Sequence, residues 1–167
     1  GLERRHLYHL GWQMVHLGAT EWEGSAQRVL GGAGALGNVL GLEVITELSV
    51  WLEQLGEDDA VPTRLIVDAT SSRAGDDVVD AAYEESGRAL LLLQSILGHK
   101  KLGECELVWV TQGAMSEEVG QLAQSPLLGL LRSARSEYMG RGIRLVDIAG
   151  DIAEDAVVSL LRQAVGA

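Results

Sequence analysis

The sequence predicts an α/β fold in which helices cover both faces of a mostly parallel sheet. Segments with the apolar run of a buried strand alternate along the chain with amphipathic helical segments, which is typical of such sheets. The 167 residues are 47% hydrophobic and contain no phenylalanine, and their leucine, valine, alanine and isoleucine suit helices packed on a sheet. A chain of this length fits one domain.

Strands are predicted at five places. Leu7–Val15 contains tyrosine, tryptophan and valine, which favour an early strand, and Arg28–Leu30 is a very short candidate. Three clearer strands follow, and they are Arg64–Ala69, Leu107–Thr111 and Ile143–Ile148.

Three amphipathic helices are predicted around these strands. The first is capped by Asp76, runs to about Leu97 and stops at Gly98. Its predicted inward stripe consists of Val79, Ala82, Ser86, Ala89, Leu93 and Ile96. The second spans Leu122–Tyr138, with Pro126 in its first turns and Gly140 after its end, and the third spans Ala153–Val165. The predicted inward face of the third consists of Val157, Leu160, Leu161 and Ala164.

Residues 36–55 allow two interpretations. Apolar residues at helical spacing favour one helix, and they are Leu36, Leu40, Val44, Leu48, Leu52 and Leu55. Gly37, Asn38 and Gly41 weaken the first half of that helix. The alternative is a short strand at Leu42–Ile45 and a helix from near Thr46, and periodicity leaves both open.

The net charge, the apolar runs and the single cysteine limit the partners and the cellular compartment that the sequence allows. A net charge of −11 argues against nucleic acid and anionic membranes, because phosphate binding requires clustered lysine and arginine. No apolar run reaches the roughly 18 residues of a membrane-spanning helix. The single cysteine, Cys105, is expected to be a small, partly buried residue and cannot form an internal disulfide, which fits the reducing cytoplasm.

A glycine-rich segment matches the dinucleotide fingerprint at Gly32, Gly34 and Gly37. Such glycines let the backbone approach a pyrophosphate at a helix N-terminus. However, the strand before them is barely three residues long. No lysine or arginine lies between Arg28 and Arg64 to hold an NADP phosphate, although Glu43 or Glu47 could take an NAD ribose. We therefore favour a tight structural turn and predict no bound cofactor.

The residues that a short-chain reductase needs are missing. Its catalytic tyrosine requires a nearby cation or relay that lowers the tyrosine pKa. Four residues after Tyr8, Tyr83 and Tyr138 stand Trp12, Gly87 and Gly142. The only lysines are Lys100 and Lys101, and the only asparagine is Asn38. Ser125 precedes Tyr138 by thirteen residues, a suitable spacing, but Tyr138 ends its helix, so the pair is expected to face solvent. No catalytic residue is predicted.

The sequence signals for a metal site, an acid–base pair or a hydrolase nucleophile are equally weak. The histidines His6, His9, His16 and His99 are scattered, and we predict no metal site. The acidic cluster Asp76, Asp77, Asp80, Glu84 and Glu85 fits the wet face and first turn of a helix. Ser71 and Ser72 are turn residues, and no G-x-S-x-G motif offers a hydrolase nucleophile.

The stretch SPLLGLLRSARSEYMGRGIRLVDI, from Ser125 to Ile148, resembles the end of the structural subdomain of a ketoreductase from a modular type I polyketide synthase. The resemblance covers nearly the whole chain, is specific from Leu107 to Asp147 and is vague from Ala19 to Ala60. A helix of Pro-x-x-Gly-Leu-x-Arg-Ser-Ala-x-Ser-Glu type is typical of that family. It is matched here by Pro126, Gly129, Leu130, Arg132, Ser133, Ala134, Ser136 and Glu137. The following Leu145-Val146-Asp147 and the preceding turn with Thr111, Gly113 and Ala114 match as well. The opening strand Leu7–Gln13 is also similar, and Val67–Ser72 more loosely.

The resemblance implies a truncated Rossmann-like fold without activity of its own. In that family the subdomain packs against a catalytic half that holds NADPH and reduces a β-ketoacyl group on an acyl carrier protein. Residues 1–167 would then be one such subdomain, a fragment of a larger synthase. Its partners would be a catalytic ketoreductase half or, in a pseudo-ketoreductase module, a dehydratase or methyltransferase.

Three functions are therefore considered. The first is a noncatalytic subdomain that stabilises a neighbouring domain through Leu7–Val15 and the final strand and helix. The second is an active NAD(P)-dependent oxidoreductase with its cofactor at Gly32, Gly34 and Gly37. The third is a stand-alone interaction or scaffold module.

Overall fold

A computed structural model describes residues 26–31, 35–56, 59–70, 77–115, 123–149 and 154–166. Its strands are β1 (Gln27–Leu30), β2 (Val44–Ile45), β3 (Arg64–Ala69), β4 (Glu106–Gln112) and β5 (Ile143–Ile148). Its helices are α1 (Ala35–Leu40), α2 (Leu48–Gln54), α3 (Val78–Gly98), α4 (Ser125–Glu137) and α5 (Glu154–Gly166). The predicted strand Leu7–Val15 lies outside the described residues.

The five strands form one parallel sheet in the order β2-β1-β3-β4-β5. Every neighbouring pair is parallel, which confirms the predicted fold class. The chain leaves β1 toward β2 on one side and continues from β3 toward β5 on the other. This reversal lies between β1 and β3, which are neighbours in the sheet.

The two central strands bury side chains on both faces. Leu65 and Val67 of β3 point to one core cluster, with α2, α3 and α4, whereas Ile66 points to the opposite cluster. That second cluster includes residues of α1 and α5, such as Leu40 and Leu161. The continuous apolar runs of β3 and β4 follow from this double burial.

Residues 36–55 follow the second interpretation, with one addition. A two-residue strand, β2, precedes a helix that begins at Leu48, and a separate short helix, α1, comes first. Gly41 ends α1 with a φ of +69°, a value that favours glycine. The single-helix interpretation is therefore wrong.

The long helix α3 differs from its prediction in two details. Its cap is Asp77, whose Oδ1 accepts hydrogen bonds from the backbone N–H groups of Val79 and Asp80 at 2.8 and 3.3 Å; the predicted cap, Asp76, lies outside the described residues. The predicted inward stripe is buried only in the second half of the helix, at Ala89, Leu93 and Ile96. Val79 is 61% exposed, so its assignment to the core is wrong.

The last two helices are close to their predictions. Pro126 stands in the first turn of α4, as expected, and the helix ends at Glu137 with Tyr138 as its C-cap. In α5, Leu161 is buried, but Leu160 is 47% exposed and was wrongly placed in the core. Cys105 is buried, as predicted, and burial is the main reason that its pKa rises to about 11. No helix in the described ranges is long and apolar enough to cross a bilayer.

Candidate functional site

The crevice outside the carboxyl ends of β1 and β3 is where this strand order would place a ligand. Doubly wound sheets bind nucleotides where the direction of the strand order reverses. Here β1 ends at Leu30, followed by Gly31, and β3 ends at Ala69, followed by Thr70. The glycine-rich segment leads from this point into α1, although Gly32 and Gly34 lie outside the described residues.

The carboxylate of Asp68 lies at the first turn of α1. Its Oδ2 accepts a hydrogen bond from the backbone N–H of Leu36, in that turn, at 3.3 Å. Its Oδ1 accepts from the N–H and the hydroxyl of Thr70 at 3.1 and 2.7 Å. A phosphate group at this end of α1 would compete with the carboxylate for the Leu36 N–H and would be repelled by its negative charge.

The described glycines of this segment serve packing within the chain. A Cβ added at Gly31 would lie 2.8 Å from the Cβ of Asp68, so the missing side chain makes room for that aspartate. A Cβ added at Gly37 would overlap Cγ2 of Val44 in β2. Packing within the chain therefore accounts for glycine at both positions.

A second polar cluster closes the carboxyl end of β4. Asp147 of β5 accepts the hydroxyl of Thr111 at 2.7 Å. It also accepts the backbone N–H groups of Ala114 and Met115 at 2.9 and 3.0 Å. Gly113 makes the turn possible with a φ of +70°, and its N–H donates to the carbonyl of Ile148 at 2.7 Å. The turn after β4 is thus held by the chain's own carboxylate.

Gln124 fills the space between the ends of β3 and β4. It is 1% exposed, its Oε1 accepts the backbone N–H of Gln112 at 3.2 Å, and its Nε2 donates to the carbonyl of Ala69. The neighbouring Ser125 donates its hydroxyl to the carbonyl of Ala114 at 2.9 Å. Both side chains therefore bond to backbone groups, which is how most buried polar side chains are satisfied.

The structure separates Ser125 and Tyr138, whose spacing in sequence suits a Ser–Tyr pair. Tyr138 caps the far end of α4 and is 43% exposed, as expected, whereas Ser125 begins the helix and is partly buried, so the expectation that it faces solvent is wrong. Thirteen residues of helix place them about 20 Å apart, too far for a hydrogen bond to the same carbonyl oxygen.

The other candidate groups are equally dispersed. Tyr83 lies exposed on α3, and Lys100 follows the end of that helix, about 25 Å further along its axis. Lys101 donates to the carbonyls of Leu55 and Gly56 at 2.9 and 2.6 Å, and Asn38 is exposed on α1. Tyr8, His6, His9, His16, Ser71 and Ser72 lie outside the described residues. Within the described ranges, no three histidine, cysteine, aspartate or glutamate side chains group as metal ligands.

A protein-family model that matches almost the whole chain identifies its family. The model of the Rossmann fold domain of the polyketide synthase extender module SpnB matches residues 10–167. The chain belongs to this family. As an extender-module Rossmann domain it has the sheet described above, and the predicted resemblance to a polyketide synthase subdomain is confirmed.

Relatives of this Rossmann domain are large polyketide synthases. Polyketide synthase GfsE of Streptomyces halstedii is 30% identical over 156 residues, which cover 91% of this chain and 4% of that protein. Mycoketide-CoA synthase of Mycobacterium tuberculosis is 35% identical over 114 residues, 66% of this chain and 3% of that protein. The chain spans between 2% and 5% of the length of the curated relatives it matches. No solved structure matches it significantly.

Sequence reasoning missed the structural roles of three residues at the carboxyl edge of the sheet: Asp68, Gln124 and Asp147. Two of them carried a signal, because each aspartate ends an apolar strand run, at Val67-Asp68 and Val146-Asp147, and so had to lie at the carboxyl edge of the sheet. Gln124 precedes Pro126 without any distinguishing pattern. Its role depends on the distance between two strands and could not be seen in the sequence.

Proposed function

We propose that residues 1–167 form one noncatalytic structural subdomain of a modular polyketide synthase. In this role the domain binds no cofactor or metal and packs against a neighbouring catalytic domain, which it stabilises. The observation that carries the proposal is the pair of carboxylates at the carboxyl edge of the sheet, where Asp68 bonds to the first turn of α1 and Asp147 holds the turn after β4. Asp68 places negative charge where the phosphates of a nucleotide would approach α1, and the groove beside it is open.

The small share of each relative that the chain matches supports a role inside a larger protein. In such a synthase, NADPH would be bound by an adjoining catalytic subdomain, and the whole would work in the cytoplasm. The neighbour would be a catalytic ketoreductase half or, in a pseudo-ketoreductase module, a dehydratase or methyltransferase domain.

Two surfaces are the proposed contacts with that neighbour. One is the segment Leu7–Val15, which lies outside the described residues. The other is the final strand and helix: β5 has β4 on one side, and no strand of the described residues lies on its other side. An open edge strand presents unpaired backbone groups and tends to acquire a partner.

We expect the adjoining catalytic domain to lose stability when this domain is removed. Its unfolding should be followed by calorimetry, with the two domains joined and with the catalytic domain alone. The loss expected is at least about 5 °C in Tm, or about 1 kcal/mol or more. The isolated Rossmann domain should not reduce a β-ketoacyl thioester with NADPH. Equal Tm values for the joined and separate catalytic domain, or reduction by this chain alone, would contradict the proposal.

A further inference from the structure

Helix α3 is longer than the sheet beneath it. It has 21 residues and measures about 31 Å, whereas β3 and β4 have 6 and 7 residues and measure about 20–23 Å. All of its buried side chains lie in its second half, from Ala89 to Ile96. Its first half therefore contributes a surface rather than a core contact.

An exposed apolar ridge runs from that first half to Leu91 in the second, and we call it the α3 stripe: Val79, Tyr83, Gly87 and Leu91. Residues four apart lie along one ridge of a helix. Tyr83 is 76% exposed, Leu91 67% and Val79 61%. Contiguous apolar residues of this size on a surface mark interaction sites more often than chance exposure does.

Gly87 lies in the middle of the stripe. Among the described residues, no atom lies within 4 Å of a Cβ added at this position, so no close contact within that part of the chain explains the glycine. Glycine weakens a helix relative to alanine, and its usual benefit is that another backbone can approach closely. A partner helix crossing α3 at Gly87 would use that space.

The stripe continues into an apolar groove between α2 and α3. The groove has a volume of about 1070 Å³ and reaches Gly31 and Asp68 at the carboxyl ends of β1 and β3. Leu48 and Leu52 line one wall, Leu91 lines the other, and Trp109 also contributes to the lining. Trp109 is 3% exposed, yet its indole N–H has no hydrogen-bond partner among the described residues. Grooves between two helices commonly receive the apolar face of a third.

The charges around the stripe and groove select the partner. Exposed carboxylates flank them at Glu47, Glu53, Asp80 and Glu84. Arg88 is the only basic residue of α2 and α3, and it pairs with Glu85 at 2.7 Å. This ring of negative charge disfavours phosphate and carboxylate ligands. It also disfavours a second copy of a chain with a net charge of −11.

We propose that the α3 stripe and its groove bind an amphipathic helix of another folded unit, with lysine and arginine along the edges of its apolar face. The proposal adds a contact surface to the packing role proposed above, and it rests on that role. The basic edges would meet the carboxylates of α2 and α3, while the apolar face covers Tyr83, Gly87 and Leu91.

The test uses a synthetic helix of about 18 residues with leucine at every third or fourth position and lysine and arginine on either side. Titrated into the ¹⁵N-labelled chain, it should shift the NMR signals of Gly87 and of the Trp109 indole N–H. A matched peptide with glutamate in place of lysine and arginine should bind at least about tenfold more weakly. Equal binding of the two peptides, or shifts elsewhere only, would overturn the proposal.

A pair of glycine variants provides the control within the chain. Gly87 and Gly129 both lie exposed in helices with no atom near an added Cβ. Gly87→Leu should weaken binding of the basic peptide at least about tenfold, because it blocks close approach. Gly129→Leu, on α4, should leave it unchanged. The reverse order, or equal losses, would contradict the assignment of the stripe.

Other occupants give distinct results. A dimer that Gly87→Leu dissociates would show that a second copy binds the stripe, and it would overturn the proposal. Nuclear Overhauser contacts between the Tyr83 ring and residues 1–25 in the free chain would show that the chain's own first segment covers the stripe, and they would overturn it as well.

In the two-domain protein, Gly87→Leu should lower the Tm of the neighbouring domain. If the neighbour is stabilised equally by the wild-type and Gly87→Leu domains, the stripe is not a contact, although the packing role stands. If the basic peptide binds at Gly87 but the neighbour gains no stability, the packing role fails instead.

Discussion

Replacing Asp147 with alanine is expected to lower the free energy of unfolding by about 3 kcal/mol. One carboxylate accepts three hydrogen bonds, from the Thr111 hydroxyl and the backbone N–H groups of Ala114 and Met115. Thr111 and Ala114 are buried, so water cannot replace the lost acceptor without opening the turn. Urea unfolding of the wild type and the variant measures the difference.

Thr111→Val is the matched control for this prediction. It removes one of the three donors, keeps the shape of the side chain and should cost about 1 kcal/mol. If Asp147→Ala cost no more than Thr111→Val, the carboxylate would not hold the turn, and the self-filled end of β4 would lose its main support.

Removal of Glu106 is expected to have the next largest effect, about 2 kcal/mol. Glu106 lies on β4, and its two oxygens are each 2.6 Å from a guanidinium Nε, of Arg64 on β3 and of Arg144 on β5. The three side chains are between 19% and 28% exposed. Glu106→Ala would leave two positive charges side by side with little water, although partial exposure keeps the cost below that of a fully buried pair.

The contribution of Glu106 should depend on pH in a defined direction. Burial acts to raise its pKa, but the hydrogen bonds from Arg144 and Arg64 outweigh burial and lower the pKa below its ordinary value of 4.5. A carboxyl group with a lowered folded pKa adds stability above its unfolded pKa and loses it as the pH falls through the folded value. The stability difference between the wild type and Glu106→Gln should be full at neutral pH and shrink as the pH falls below about 4.5. A difference that stays constant down to about pH 2.5, or grows, would contradict the ion-pair account.

The sequence predicted β3 and β5 with the observed bounds and β4 to within one residue at each end. It could not resolve β2, because two residues are too few to show a period of their own, and Gly41 divides the apolar spacing of the segment around it. It misplaced Val79 because periodicity shows which side of a helix is apolar but not how far the sheet extends beneath it.

The candidate site shows the same limit. The absence of a tyrosine with a usable lysine could be predicted by inspection, since it needs only an inventory of residues. The hydrogen bond between Asp68 and α1 could not be predicted, because an aspartate at the end of a parallel strand can face a ligand or bond to its own turn. Only the contact with Leu36, thirty-two positions away, distinguishes the two.

Cofactor titration of the isolated domain tests the central claim most directly. NADPH and NADH should each give no heat of binding to the wild-type chain up to about 1 mM, while the same titration of the protein joined to its catalytic neighbour serves as the positive control. The Asp68→Ala variant shows whether the carboxylate alone excludes the nucleotide. The carboxylate of Asp68 at the first turn of α1 predicts no binding, and a low-micromolar Kd for either nucleotide in the wild-type chain would contradict the structural role.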